Sequence, residues 1–466
     1  MSDLFSALNS AAGALRAFQT ALDVTQNNVS NSQTPGYVTQ VPTFDALGFQ
    51  PTKGLDGGVE GGTGQSTRNQ YAELAVRQQV TLLGSSSQLA TSLDPIEQVF
   101  SVSGTSSISS ALDTLFQSFS AWSANTGDVS AQSAVLNAAS GVATAFAGSA
   151  NQLDQIRTSM STDLQSSVDS INQLADQIQQ YNVNRQGATD SDAGLDAQLN
   201  NALEQLAQYA DTQVLTASDG SITVLLDGQV PLVTGDQVHH LSLGSASNAG
   251  ATNPTAPANV SILDSKGNDV TQNITDGQLG ALLSVRNQIL PQLIGGPSDA
   301  GELNELASQV ASSINNVLTT AGGQQLFTYD TSSAVDAAAT MSVASGLQPT
   351  DLVAADPGPP PVSNGVPLKL SALANNQNAQ LQNMTFDQFY GSTTSWIGNQ
   401  LSQAQTASTA QTQTVAQAQA LRQQLSGVSL DEEATRLMEL QRSYQAASRM
   451  VTVIDSLSET IINMIQ

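Results

Sequence analysis

The chain has 466 residues and a formal net charge of −26, with 11% of its residues charged and 4% aromatic. Its length suits two to four domains rather than one compact core. The negative charge argues against nucleic acid or an anionic membrane as the main partner, because both would repel it. Since the chain contains no cysteine, disulfides and thiolate metal sites are excluded.

The sequence shows no sign of a targeting or membrane segment. Residues 1–10 contain neither a basic region nor a continuous apolar run, so we expect no cleaved signal peptide. No stretch reaches the roughly 18 apolar residues that a membrane-spanning helix needs. We therefore expect no membrane insertion and, if the protein leaves the cell, a route that does not use such a signal.

The first predicted element is a helix over residues 3–29 in which apolar residues recur every seven positions. Such a repeat is typical of helices that pack side by side. Its seam consists of Leu8, Leu15, Phe18, Leu22 and Val29. Beyond the helix, proline followed by glycine predicts a tight turn. A first motif covers this end of the helix and contains Asn27, Asn28, Asn31, Thr34, Pro35, Gly36 and Tyr37.

Helical and extended patterns alternate through the middle of the chain. Residues 36–69 are rich in Gly and Pro, and predict a linker with extended segments. Helical apolar periodicity then predicts a bundle of long helices. The bundle is assigned to residues 70–211, 275–325 and 376–426.

Two insertions interrupt the predicted bundle. Residues 212–274 switch to a strand-like period, and Asp227-Gly228 between two apolar runs predicts a β-hairpin. Residues 326–375 are rich in Gly, Ala and Pro, and predict an irregular or β insertion. Both insertions are expected to lie on the outside.

The last predicted helix starts near Leu430 and again repeats apolar residues every seven positions. Its seam consists of Leu430, Leu437, Leu440, Tyr444, Val451, Ile454 and Ile461, with interruptions at Glu433 and Ser458. A glycine ends the preceding helix, and Ser429 with Glu432 predicts a capping box. The second motif thus contains Gly427, Leu430, Asp431, Glu432 and Glu433.

The two seams predict a terminal domain made of residues 1–35 and 427–466. Because an isolated helix is marginal in water, either the two ends pack together or each waits for another subunit. Ordinary amphipathic helices on a globular core would show a similar period. The predicted fold class is mainly α with β insertions (α+β), with a coiled-coil-like inner domain, a long-helix bundle and small outer insertions.

No group of residues predicts catalysis, a cofactor or a metal site. Adjacent His239 and His240 would point to opposite faces of a strand and could not easily share one ion. Residues 264–269 lack a complete calcium-binding loop. The pair Asp190 and Asp192 lies in a break where turns and caps are expected. Since no nucleophile elbow, P-loop or dinucleotide motif is present either, we expect a protein that is not an enzyme.

Both motifs resemble those of one family, the flagellar rod, hook and hook-associated axial proteins. The first motif follows that family's Asn-Asn-x-x-Asn-x-x-Thr-Pro-Gly-Tyr pattern. The second, together with the sequence from Gln441 to Ala447, is similar to the members that join hook to filament. The resemblance is clear at the two ends of the chain and weaker between them.

The resemblance implies a structural subunit of the bacterial flagellum that joins hook to filament. Its partners would be hook protein, a second junction protein and copies of itself in a helical or ring homo-oligomer. It would be secreted through the flagellar type III pathway, with a cytosolic export chaperone bound to its C-terminal region. The flagellar hook protein or another axial subunit is the alternative within the family. Outside it, an acidic secreted adhesin or a surface hydrolase remains open.

Overall fold

The computed structural model describes residues 2–50, 55–101, 107–186, 192–217 and 219–465. The helices are α1 (Ser2–Ser30), α2 (Gln70–Val99), α3 (Ile108–Ala124), α4 (Val129–Gln186), α5 (Ala193–Tyr209), α6 (Gly277–Ser284), α7 (Leu290–Ile294), α8 (Glu302–Thr320), α9 (Ala337–Thr340), α10 (Gly365–Ala372), α11 (Phe386–Ser426) and α12 (Leu430–Ile465). A π-helical turn, Val285–Ile289, joins α6 to α7. Among the described helices, none combines the length and the apolar character needed to cross a bilayer.

The strands are short and antiparallel. They are β1 (Gln40–Val41), β2 (Phe44–Gln50), β3 (Leu55–Gly61), β4 (Gln65–Ser66), β5 (Thr212–Thr216), β6 (Ile222–Leu226), β7 (Val230–Thr234), β8 (Gln237–Val238), β9 (Ser242–Ser245), β10 (Val260–Leu263), β11 (Phe327–Thr328) and β12 (Ser342–Val343). Strands β5 to β8 form one sheet in chain order, and the others pair as β1–β4, β2–β3, β9–β10 and β11–β12. The prediction of a mainly α fold with β insertions is confirmed.

Local signals set the ends of the long helices. Asn69 caps α2 through its side chain, which accepts from two backbone N–H groups. Thr385 and Gln388 form a capping box at the start of α11. Because such caps satisfy backbone donors that the first turn leaves free, they fix where each helix begins. The first helix, predicted over residues 3–29, spans Ser2–Ser30.

The body of the molecule, residues 70–426, contains two hydrophobic cores. The first lies between α3, the first half of α4, α8 and the start of α11, and buries Phe119, Trp122 and Phe146 completely. The second lies between the rest of α4, α5, α6 and the sheet β5–β8. Helix α4 has 58 residues, long enough to serve both cores.

The predicted β-hairpin is confirmed within the second core. Strands β6 and β7 are joined at Asp227 and Gly228, which have φ angles of 47° and 67°. Positive φ at both central residues is what a tight hairpin turn requires. Alternate residues of β6, among them Val224 and Leu226, are buried against the helices. This region is therefore part of the core rather than a separate outer subdomain.

Residues 326–375 depart from their predicted place as an outer insertion. They include several short elements, and their apolar side chains Phe327, Met341, Leu352 and Leu370 belong to the first core. The Gly- and Pro-rich composition of the segment obscured these single apolar residues, which follow no helical or strand period. Their burial depends on contacts with α8 and α4, which a local pattern cannot reveal.

Within the described part of the chain, five asparagine side chains attach extended segments to helices. Each pairs with both the N–H and the C=O of one residue, as a neighbouring strand would, because an amide carries one acceptor and a donor in the same geometry. Asn182, for example, bonds Ile222 N and O at 2.7 Å each. The same arrangement joins Asn28 to Gln40, Asn172 to Leu241, Asn287 to Val260 and Asn315 to Phe327.

Candidate functional site

The two terminal helices pack against each other within one chain. The contact between α1 and α12 buries Ala21, Leu22 and Leu440, with Phe18, Leu437 and Tyr444 partly buried around them. We call α1, strands β1–β4 and α12 the terminal unit. Of the two arrangements that the sequence left open, the structure has the ends paired with each other.

The predicted seam is only partly covered by this pairing. Positions 437, 440, 444, 447, 451 and 454 of α12 are buried or half-buried, which follows the predicted seven-residue repeat. On α1, Leu8, Leu15 and Phe18 are half-buried and Leu22 is buried. Val29, Leu430 and Ile461, however, are exposed by 39%, 51% and 39%. The interruption at Glu433 is buried, with Arg436 at 3.2 Å.

A second apolar stripe runs along the outer side of α12. It contains Met450, Val453 and Leu457, each exposed by about half or more. These positions are displaced from the repeat that faces α1, so one helix carries two apolar surfaces. The pairing with α1 covers one of them.

The β2–β3 hairpin lies along α1. Phe44 of β2 contacts Phe18 of α1, with ring centroids 5.9 Å apart. A Cβ at Gly61 of β3 would come within 2.7 Å of the Cα of Ala17, so this glycine permits the close approach of strand and helix. The sequence predicted only a linker with extended segments here, because contact between a Gly-rich strand and small helix residues has no periodic signal.

The first motif closes the end of α1 and turns the chain. Asn31 Nδ2 donates to Asn27 O, Thr34 Oγ1 donates to Asn31 Oδ1 at 3.0 Å, and Tyr37 N donates to Thr34 O at 3.1 Å. Pro35 is exposed. Gly36 has a φ of 76°, and a Cβ there would meet the carbonyl oxygen of Ala197 at 2.3 Å. Only glycine fits this turn against α5.

Asn28 and Tyr37 form the buried part of the same motif. The Asn28 side chain is completely buried, and its Oδ1 accepts from Gln40 N and Tyr37 Oη, both at 3.0 Å. Burial, with a contribution from Glu433, raises the pKa of Tyr37 to about 12. The phenol therefore stays protonated at neutral pH and keeps donating to Asn28.

The second motif restarts the chain as α12. Gly427 has extended backbone at the end of α11, and Ser429 O accepts from Glu433 N at 2.9 Å. The predicted capping contact from Glu432 N to Ser429 Oγ is long, at 3.5 Å. Asp431 and Glu432 are exposed in the first turn of α12, where negative charge favours the helix dipole.

The two motifs meet at a joint between the terminal unit and the body. We define the joint as residues 38–40, 67–69 and 426–429. Thr39 N donates to Ser426 O at 2.9 Å, and Thr39 Oγ1 donates to Gly427 O at 2.8 Å. Ser426 Oγ donates to Thr67 O at 2.9 Å and accepts from Asn69 N at 3.1 Å.

A largely buried charge network lies beneath the joint. Arg68 pairs with Glu73 at 2.6 Å and with Asp196 at 2.7 Å, and it donates to Gly36 O at 2.7 Å. Arg422 pairs with Glu73 at 3.1 Å and with Glu204 at 2.6 Å. These charged residues were not predicted from the sequence. In an acidic chain with 13 basic residues, Arg422 shortly before the second motif was the available signal, whereas Arg68 lies far from the first motif in sequence.

The residues considered for chemistry have structural surroundings. His240 Nε2 lies 2.8 Å from Asp176 and His239 Nδ1 lies 3.3 Å from Ser265 Oγ, so the two rings have different neighbours. Asp192 caps α5, whereas Asp190 lies outside the described residues. Within the described ranges, no three His, Asp or Glu side chains are grouped as a metal site.

A cleft of about 940 Å³ lies beside the joint, between α2, α5 and the sheet β5–β8. Its walls carry both signs of charge, with Arg68, Arg77 and Arg185 facing five carboxylates, those of Glu73, Asp192, Asp196, Asp211 and Asp227. Burial lowers the pKa of Arg77. Such a mixed lining does not select one class of ligand.

Comparison with known proteins defines first a class, the flagellar axial proteins. Residues 8–37 match the flagella basal body rod protein family, and residues 422–464 match the C-terminal family of the flagellar basal body rod proteins FlgE, FlgF and FlgG. These two matches contain the paired helices and both motifs. They explain why the ends of the chain carried the clearest resemblance.

A family match within the body identifies a narrower group of these proteins. Residues 93–327 match the helical domain of the flagellar hook-associated protein FlgK. The chain is 26% identical to flagellar hook-associated protein 1 of Bacillus subtilis, over 99% of both chains, and 23% identical to that of Salmonella typhimurium, over 98% of this chain and 100% of the relative. The solved flagellar hook junction protein FlgK of Burkholderia pseudomallei superposes with a TM-score of 0.63 at 17% identity, covering 74% of this chain and 99% of that one.

The chain belongs to the FlgK family of flagellar hook-associated proteins. This membership confirms the predicted function of a structural subunit of the flagellar hook–filament junction.

Proposed function

We propose that the terminal unit builds the inner wall of the hook–filament junction, while the body projects outward from it. The observation that carries this proposal is the second apolar stripe of α12. Met450, Val453 and Leu457 are exposed by 60%, 57% and 49%. Contiguous exposed apolar surface on a soluble chain is typical of a protein interface. The seam toward α1 holds the unit together, and the outer stripe is left to hold the assembly together.

The neighbour that covers this stripe is another copy of the chain. In a ring or a helical assembly, each subunit repeats one contact between two different surfaces. The stripe on α12 supplies one such surface, and the outer side of α1, where Phe5 is exposed by 66%, supplies the other. The predicted homo-oligomer therefore uses the terminal unit as its repeating element.

The hook protein and a second junction protein are the partners at the two ends of the ring. The names of the relatives support this placement, because the curated proteins are called hook-associated and the solved one is called a hook junction protein. These names describe structural proteins, which also supports a role without catalysis.

Export precedes this assembly. The exposed stripe would be an aggregation hazard in the cytosol, which supports the expected binding of an export chaperone to the C-terminal region. The subunit then leaves by the flagellar type III pathway and becomes part of the extracellular flagellum.

The alternative within the family is the hook protein or another axial subunit. The matches over residues 8–37 and 422–464 fit any of these. The match over residues 93–327 is to the helical domain of the hook-associated protein itself, and this observation favours the junction. No comparable observation favours an adhesin or a surface hydrolase.

Electron microscopy of a strain that lacks the protein tests the proposal. Cells without it should carry complete hooks and no filaments, with filament protein shed into the medium. Expression of the wild-type chain should restore filaments, and expression of a chain truncated before α12 should not. Normal filaments in the deletion strain would contradict the junction role.

A further inference from the structure

Every covalent connection between the terminal unit and the body passes through the joint. The chain enters the body after β4, through residues 67–69, and leaves it between α11 and α12, through residues 426–429. The segment that follows α1 crosses the same place, where Thr39 bonds to both Ser426 and Gly427. Three segments distant in sequence are thus fastened together at one point.

Hydroxyl groups make this fastening directional. Ser426 Oγ donates to Thr67 O and accepts from Asn69 N, so a single side chain links the end of α11 to the start of α2. Asn69 is also the N-cap of α2. The direction in which α12 leaves the body is therefore tied to the first turn of α2, because a cap fixes the entry of the chain into its helix.

The charge network adds further contacts at the joint, to α2 and α5. Arg68 and Arg422 both reach Glu73, whose side chain is 5% exposed. Arg68 also pairs with Asp196 and Arg422 with Glu204, and both carboxylates belong to α5. In addition, Arg68 donates to Gly36 O and so holds the turn of the first motif. Planar guanidinium groups that make several directed bonds hold their neighbours in one orientation.

We propose that the joint holds the terminal unit at one fixed angle to the body, and that Arg68 and Arg422 are the positioning residues that set this angle. The inference rests on the proposed function in one respect: a symmetric ring repeats one subunit shape, so every body must leave its terminal unit at the same angle. Loss of the arginine contacts would leave both the body and the terminal unit folded, and would spread the angle between them.

Distance measurement between two spin labels tests the angle directly. Because the natural chain has no cysteine, cysteines at the exposed positions Ser87 in α2 and Gln445 in α12 can be labelled without further changes. The wild type should give one narrow distance distribution. The double variant Arg68→Gln and Arg422→Gln should give a broader distribution with a shifted centre.

The arginine double variant leaves the buried Glu73 without its partners, which could misfold the protein, so a second variant that keeps these partners is needed. Thr39→Val with Ser426→Ala removes the hydroxyl links and leaves every arginine contact in place, and it should also broaden the distribution. Lys369→Gln is the control, because it removes an ion pair with Asp356 that lies away from the joint, and the distribution should stay narrow. Unchanged distributions in both joint variants would overturn the proposal.

The same variants separate this inference from the proposed function. In the deletion strain, both joint variants should be exported and should fail to retain filaments. If they broaden the distance distribution but restore filaments, the fixed angle has no role in assembly, and the junction function stands. If the wild-type chain itself restores no filaments, the proposed function fails, whatever the angle.

Discussion

The body and the terminal unit are held together by different contacts. The body encloses two cores with completely buried large side chains such as Phe119, Trp122 and Leu206. In the terminal unit, the described apolar cluster between α1 and α12 has three buried members, Ala21, Leu22 and Leu440. Since burial of apolar surface is the main source of folding free energy, the body has most of the stability and the terminal unit little of its own.

This difference matches the two tasks of the subunit. A domain that must keep its shape during assembly benefits from closed cores. A unit that must join neighbours benefits from apolar surface that is not yet covered, as on the outer side of α12. The contrast teaches that the pairing of α1 with α12 leaves apolar surface of the terminal unit uncovered, which is the surface that the proposed assembly would use.

The largest expected effect is a loss of stability in the body alone. Phe119→Ala should lower the free energy of unfolding of the body by about 3–5 kcal/mol, because it leaves a cavity in the first core. Thermal unfolding followed by circular dichroism would measure this loss. The matched control is Phe49→Ala in β2, where the ring is 72% exposed and the body transition should not move. An equal loss in both variants would contradict the division of the molecule.

The next effect distinguishes the two faces of α12. Leu437→Asp with Ile454→Asp places charges in the seam toward α1, at a cost of several kcal/mol, and should separate the helices without moving the body transition. The matched pair, Met450→Asp with Val453→Asp, lies on the exposed stripe and should leave the helices paired. Filament counts should show loss of assembly in both double variants. Near-ultraviolet circular dichroism should show loss of helix pairing only in Leu437→Asp with Ile454→Asp.

A smaller effect tests the asparagine contacts. Asn182→Asp keeps the size of the side chain but removes the donor to Ile222 O and Gly235 O, which should cost about 1–3 kcal/mol, since the carbonyls are left buried without a partner. Urea denaturation would measure it. Asn184→Asp, at an exposed position two residues further along α4, should change stability little, and a similar loss there would show that charge alone is responsible.

The smallest effect is expected at the histidine pair. His239→Asp with His240→Asp removes an exposed contact to Asp176 and one to Ser265, and surface changes of this kind stay within about 0.5 kcal/mol. Melting temperature and filament formation should both match the wild type. A loss of filaments would assign these residues a role in assembly that the account does not give them.

Local patterns were sufficient to predict the long helices and the central hairpin. Caps and breaks at Asn69, Thr385 and Gly427 mark helix ends within a few residues, and Asp227-Gly228 specifies its own turn. These signals act over one or two turns of chain, so they can be read without knowledge of the fold. Along the repeat of α12, positions 437, 440, 444, 451 and 454 are buried or half-buried, whereas Leu430 and Ile461 are exposed.

Contacts between distant segments could not be predicted in this way. The burial of Phe327 and Leu352 in the first core, the bond from Asn182 to β6 and the contact of Gly61 with α1 all depend on tertiary neighbours. The joint belongs to the same group, because Thr39 and Ser426 are polar residues with no period. Its two motifs were recognised as sequences, but their meeting in space required the structure.

The central claim is that the terminal helices α1 and α12 form one unit, and that this unit is separate from the body. Hydrogen exchange of the full chain in solution tests this claim most directly. In the wild type, amides of α1 and α12 should exchange well before those of α4 and α8, because little apolar surface protects them. In Leu437→Asp with Ile454→Asp, exchange should rise in both α1 and α12 and stay unchanged in α8. If amide exchange in α1 does not change, or if exchange in α8 rises together with exchange in α12, then α1 and α12 do not form a unit separate from the body.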